Sequence, residues 1–402
     1  MIATPITAEL IHGAIELEAT PRGIRPHRLP RAVRERDADQ QLSLMEAQPS
    51  GVRLEMVTAA RSITVAMHAT RVAYRGVDRM RGAVDVVVDG ADHWSHVLAH
   101  GDRVELDMQT GESRFVPGDT DRIVIDGLPA GEKSVEVWLP HNEAIELVSL
   151  HSDLPVGPDD RRRPVWVHHG SSISQGSNAT SPTRTWPAVA ARRAGVSLHN
   201  LGFGGSALVD PFMARVIRDT SADLISIKLG INVVNHDAMR LRSFVPAVHG
   251  FLDTIRDGHP TTPILLVSPI FCGIHEDTPG PGAIDPTSLG TGGMRFVATG
   301  QPGDTAQGRL TLQVIRTALA GVVEARSDDS NLSYLDGLAL YGETDARAHP
   351  LPDSLHPDTA THELIGERFA AAHLVIPGDD SRREPSRARH PLGRLQRHHA
   401  AC

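Results

Sequence analysis

Val165-Trp166-Val167-His168-His169-Gly170-Ser171-Ser172-Ile173-Ser174-Gln175-Gly176 is a compact apolar run that stops on a glycine and two hydroxyls. A short apolar run bounded by a turn signal reads as a buried strand, and Gly170 lets the chain turn sharply off its end. Ser172 then stands near the start of the next helix, where backbone N–H groups favour developing negative charge. By itself such a turn is commonplace. Further apolar runs at 198–202, 223–229, 263–268 and 331–335 alternate with stretches of helical period: Trp186 to Arg193, Met239 to Arg256, Thr311 to Ala325 and His362 to His373. That alternation implies a parallel sheet covered by helices on both faces. With five strands, the doubly wound order places ligands at the strands' carboxyl ends.

Upstream the period falls to two. Val52, Leu54 and Met56 are interleaved with Arg53 and Glu55, and the pattern returns in Ile63, Val65, Met67, in Val104, Leu106, Met108, and in Val135, Val137, Leu139. Turn pairs such as Asp89-Gly90, Gly101-Asp102 and Gly131-Glu132 separate these runs. Short strands at this spacing read as an antiparallel β-sandwich or jelly roll, to which the first fifty residues are expected to add edge strands and loops. Residues 151–164 are polar and Pro-rich and read as a linker. The expected division is a sandwich over 1–155, an α/β domain over 164–377 and a basic, Pro-interrupted, disordered tail over 379–402.

A chain of 402 residues suggests two domains. A formal charge of −9 argues against a nucleic-acid partner. No apolar run is long enough to cross a bilayer, and Met1 to Thr20 carries Glu9, Glu16 and Glu18 where a signal peptide needs a basic then an apolar region. The expectation is a cytoplasmic enzyme with no membrane partner; its oligomeric state stays open. Cys272 and Cys402 cannot form a disulfide framework, and Cys272 reads as a plain buried thiol. His168 and His169 are adjacent on a strand, so they point to opposite faces and do not suit one metal ion. No metal is expected.

Four blocks carry the chemistry. Gly170-Ser171-Ser172 offers a nucleophile. Asn200-Leu201-Gly202-Phe203-Gly204-Gly205-Ser206, at the next strand end, offers a backbone N–H to an oxyanion. Gly230-Ile231-Asn232 offers a side-chain amide. Asp353-Ser354-Leu355-His356-Pro357 offers a base and, three residues earlier, an acceptor that fixes its tautomer. Each alone reads better as an ordinary loop. Together they fall at strand-to-helix junctions, or just before the last helix, and so on one edge of the sheet, supplying every part that acyl transfer needs.

These residues resemble the SGNH (GDSL) hydrolase superfamily, with Ser172, Gly205, Asn232 and His356 in its four ordered blocks and Asp353 at its Asp-x-x-His position. The resemblance spans roughly residues 165–375. It implies a three-layer α/β/α flavodoxin-like domain; with a β-sandwich ahead, the chain looks like a two-domain branch of bacterial esterases that includes acyltransferase-like and carbohydrate esterase members. It further implies catalysis by Ser172, Asp353 and His356, an oxyanion hole of the Ser172 and Gly205 N–H groups and the Asn232 amide, and no cofactor. The family's first block usually reads Gly-Asp-Ser. Here Ser171 replaces the Asp, and the loop is expected to survive with altered hydrogen-bond support.

The expected activity is hydrolysis of short-chain acyl esters of a small molecule or carbohydrate, such as O-acetyl groups. Alternatives are acyl transfer to an alcohol acceptor by the same residues, or a carbohydrate-binding protein with a retired site. Asn235 and Glu276 are candidate substrate contacts. Glu276 opens a Gly/Pro-rich segment, Gly273 to Gly308, too long for a plain connector and suited to a binding wall or lid.

Overall fold

The computed structural model describes residues 1–75, 80–107, 110–288 and 293–374. The basic tail over 379–402, Met108 and the last residues assigned to the α/β domain lie outside them.

The amino-terminal half is a β-sandwich. One sheet has eight strands, and its main path runs Ser113–Val116, Asp102–Leu106, Ser62–Tyr74, Ala144–Ser152, Ile24–His27, Glu16–Ala19. The other has six, with the path Val156–Pro158, Arg53–Thr58, Lys133–Trp138, Ala83–Val88, Ala91–Val97. Leu54, Met56, Val65, Met67, Val135 and Val137, read as one face from their alternation, form part of the core between the sheets. Three features depart from the expectation. Ser62–Tyr74 and Asp102–Leu106 pair in parallel, because the chain leaves to build the Ala83–Val97 hairpin in the opposite sheet before returning. The expected linker contributes an edge strand, Val156–Pro158, on Arg53–Thr58. The first fifty residues contain short helices as well as strands, Arg31–Arg36 and Gln40–Glu46, the second capped by Asp39 Oδ1 on the Leu42 N–H at 2.7 Å.

The second half is an open sheet of five parallel strands in the order Ser197–Gly202, Val165–Gly170, Leu224–Lys228, Ile264–Val267, Leu332–Leu335. Helices cover both faces, as near-continuous apolar strands require. Val167, Ile225 and Ile227 pack beneath Phe244, Phe251 and Ile315 on one face. On the other, Trp166, Leu198 and Leu265 pack with Trp186, Ile365 and Phe369. Strand order reverses at Val165–Gly170, which makes its carboxyl end the switch point where such sheets bind ligands. None of the helices formed by the described residues is long and apolar enough to cross a membrane.

Candidate active site

At that switch point the Val165–Gly170 strand turns into the one-turn helix Ser172–Gln175. Ser171 supplies the cap in place of an Asp, its Oγ accepting from the Ile173 N–H at 3.4 Å. Below the helix, Ser174 Oγ meets His168 Nε2 at 2.8 Å, and His168 Nδ1 meets Ser226 Oγ at 2.7 Å. Burial drives the His168 pKa well below its ordinary value, so this ring is a neutral strut. His169 bonds instead to the Leu201 carbonyl and stacks on Phe251, on the opposite face.

The turn that carries His356 is folded by its own carboxylate, Asp353. Asp353 Oδ1 accepts from the Leu355 and His356 N–H groups at 2.9 and 2.6 Å, which wraps the chain tightly enough to put Ser354 at φ +69°. Oδ2 lies 2.7 Å from His356 Nδ1 and also accepts from Asn178 Nδ2 at 3.1 Å. Burial pushes the Asp353 carboxyl up. The hydrogen bond and charge of His356, with the two N–H groups, outweigh it and leave the pKa below the ordinary carboxylate range. The far nitrogen, His356 Nε2, is 2.9 Å from Ser172 Oγ. Stretches 184 residues apart in sequence thus meet in one line of hydroxyl, imidazole and carboxylate.

Gly205 and Asn232 follow the ends of the two strands that flank Val165–Gly170. Nothing among the described residues accepts from the Ser172 or Gly205 N–H groups. Asn232 Oδ1 accepts from the Ala207 N–H at 3.2 Å, so its NH2 end is the one left to donate. Gly205 adopts φ +72°, a left-handed conformation that suits glycine. Gly202 allows close approach: a Cβ there would lie 2.6 Å from the backbone of Ser174 and Gln175.

Ser172, Asp353 and His356 are therefore brought together, with Gly205 and Asn232 on neighbouring strand ends. Asn235 and Glu276 have other engagements. Asn235 Oδ1 meets His275 Nε2 at 2.9 Å and ties down the long segment. Glu276 is ion-paired with Arg316 at 2.6 Å and accepts from the Cys272 N–H at 3.0 Å, which makes it a brace behind the sheet edge rather than a free ligand group. The long segment reaches the site through another residue. It forms a hairpin, Gly282–Ile284 with Phe296–Ala298, whose Phe296 N–H donates to the Asp353 carbonyl at 2.9 Å and whose ring stands edge-on to His356 at 5.6 Å. Asn178 and Phe296 were not singled out from sequence. An isolated loop Asn or Phe carries no periodic signal, although a turn-rich segment of that length did point to the wall. Cys272 is a buried thiol with its pKa pushed up to about 12 by burial.

A strand-end serine in line with a turn-borne Asp-x-x-His, on a five-stranded parallel sheet behind a β-sandwich, is the arrangement of the GDSL class. Residues 162–272 match the GDSL-like lipase/acylhydrolase family model. Residues 10–148 match the model of the SsfX3 amino-terminal domain. The chain is a GDSL/SGNH hydrolase domain preceded by an SsfX3-like amino-terminal domain, within the esterase and acyltransferase family of this fold. Among solved structures it is similar to the salicylyl-acyltransferase SsfX3 from a tetracycline biosynthetic pathway, at 28% identity and a TM-score of 0.76 over 91% of this chain and 95% of that one. A candidate GDSL-like lipase from Bacteroides ovatus aligns at 18% identity and a TM-score of 0.61 over 90% and 94% of the two chains. A family two carbohydrate esterase from Clostridium thermocellum, in complex with cellohexaose, aligns at 17% and 0.51 over 80% and 90%. These last two share the fold. No curated protein matches the chain.

Proposed function

We propose that the protein transfers acyl groups from esters through a covalent acyl-Ser172 intermediate, with His356 as base, Asp353 as its orienter, and an oxyanion hole of the Ser172 and Gly205 N–H groups and the Asn232 amide. The observation that carries this reading is the relay of 2.9 Å from Ser172 Oγ to His356 Nε2 and 2.7 Å from His356 Nδ1 to Asp353 Oδ2. As Oγ attacks the ester carbonyl, His356 takes its proton and Asp353 stabilises the imidazolium. The tetrahedral oxyanion collapses, and the leaving alcohol departs with the proton from His356. His356 then activates water, which releases a carboxylic acid and restores Ser172. The substrate class is a short-chain acyl ester of a small molecule or carbohydrate.

A second reading has an acceptor alcohol replace water in the last step. It is supported by the likeness, over both domains, to a salicylyl-acyltransferase. Steady-state hydrolysis of an aryl acetate, with and without added alcohols, tests both. Ester turnover that vanishes in Ser172→Ala and His356→Ala supports the chemistry, and the ratio of acid to new ester tells hydrolase from transferase. A folded protein inactive on a panel of short esters, with or without acceptors, would defeat both.

A further inference from the structure

We propose that Gln41, carried by the amino-terminal domain, is a positioning residue that aims the Gly205 N–H into the oxyanion hole; the inference rests on the acyl-transfer reading above. A peptide unit is planar and trans, so its C=O and N–H point in opposite directions. The unit joining Gly204 to Gly205 presents an N–H with no acceptor among the described residues and a C=O that accepts from Gln41 Nε2 at 2.9 Å. Anchoring one end of a rigid plane sets the direction of the other. The anchor matters because the plane has a glycine on each side, and glycine can turn at little steric cost. Gln175 Oε1 holds the Gly204 N–H at 2.7 Å and His236 Nε2 meets the Gly205 carbonyl at 2.9 Å, but these bonds lie on the peptide units before and after it. Ser206 Oγ is the other group near the Gly204 oxygen, at a long 3.4 Å.

The element bearing Gln41 is itself fixed to the strand end it serves. Helix Gln40–Glu46 ends with the Met45 carbonyl on the Arg28 guanidinium. The same buried guanidinium donates to the Asn200 and Gly202 carbonyls at 3.1 and 2.6 Å and stacks on Phe203 at 4.5 Å. Gln48 adds a bond to Gln175 of the nucleophile helix, and Ser50 Oγ donates to the Gln175 carbonyl at 2.6 Å. Gln41 is exposed, so replacing it removes a donor without opening a core.

The test compares Gln41→Ala, Gln41→Glu, Gln41→Lys and Ser172→Ala in turnover of an aryl acetate, in the rate of fluorophosphonate labelling and in thermal melting. Ala and Glu lose the donor. Their kcat and kcat/KM should fall together by about tenfold, a fraction of the roughly 10²–10³ lost when an oxyanion donor itself is removed, with KM nearly constant as for a group acting only in the transition state. Labelling should slow in step, and melting should not move. Lys keeps an N–H that can reach the carbonyl and should restore most of kcat. Wild-type kcat in Gln41→Ala, a change confined to KM, or a loss that Lys does not relieve would overturn the assignment. Activity surviving in Ser172→Ala would instead defeat the acyl-transfer reading, whatever Gln41 does.

Discussion

Asp353 does two jobs with one carboxylate: one oxygen folds the turn, the other receives the His356 Nδ1–H. An amide can copy the first and not the second, because an Asn oriented to accept in the turn would face Nδ1 with N–H and favour the wrong tautomer. Asp353→Asn should therefore melt close to the wild-type temperature yet lose on the order of 10⁴ in kcat, read by ester turnover. Asn232→Ala removes one of the proposed oxyanion donors and should cost about 3 kcal/mol of transition-state stabilisation, a drop of 10²–10³ in kcat. These residues were legible because family motifs and strand-end placement coincide on them. Asn178 was not: its amide reaches Asp353 across 175 residues, from a turn that sequence alone does not aim.

The helix that begins at Ser172 is only four residues long, so its position depends on what presses on it. Gly202 lets the neighbouring strand end lie against its backbone. Gly202→Ala would place a Cβ 2.6 Å from Gln175 N and the Ser174 carbonyl carbon, neither of which can step aside like a flexible side-chain tip. The expected outcome is a loss of roughly 1–3 kcal/mol of stability by denaturant titration. Activity should fall further, since a shift of ~1 Å can cost about 100-fold in rate. The five parallel strands were read within a residue or two of their observed ends, because each is a short, mainly apolar run bounded by turn residues, even where buried polar groups such as His168, Asn200 and Ser226 interrupt it. The helix Gln40–Glu46 was missed. It is short, follows another short helix, and has Leu42 and Glu46 as its buried residues, too little period to show.

Besides the contacts of residues 28–50, the six-stranded sheet packs against the second domain. Lys133–Trp138 is buried on both faces although its alternating sequence suggested one wet side. Val87 and Trp138 pack on Ala188 of the second domain, and Asp85 accepts from Ser181 Oγ and the Thr183 N–H at 2.6 and 2.9 Å. Alternation reports which residues face the sandwich core; it is silent on a second partner that covers the polar face. At the junction, Asp159 meets Arg161 at 2.6 Å and takes the Ser134 hydroxyl at 2.9 Å. The Arg161 hydrogen bond foremost holds its pKa at about 2, against an ordinary 3.8. A depressed carboxyl contributes stability that is fully present above its unfolded value and lost as pH falls through the folded one. Asp159→Asn should lower stability at neutral pH and flatten the part of the acid limb between 3.8 and about 2, measured by thermal melting against pH.

The proposed catalysis requires Ser172 Oγ to be the atom that takes up the acyl group. Intact-protein and peptide mass spectrometry after brief incubation with a fluorophosphonate examines that directly. The expected result is one adduct on the peptide containing Ser172, absent in Ser172→Ala and slow to form in His356→Ala. An adduct of undiminished yield in Ser172→Ala, or one mapping to Ser171 or another residue, would contradict the account.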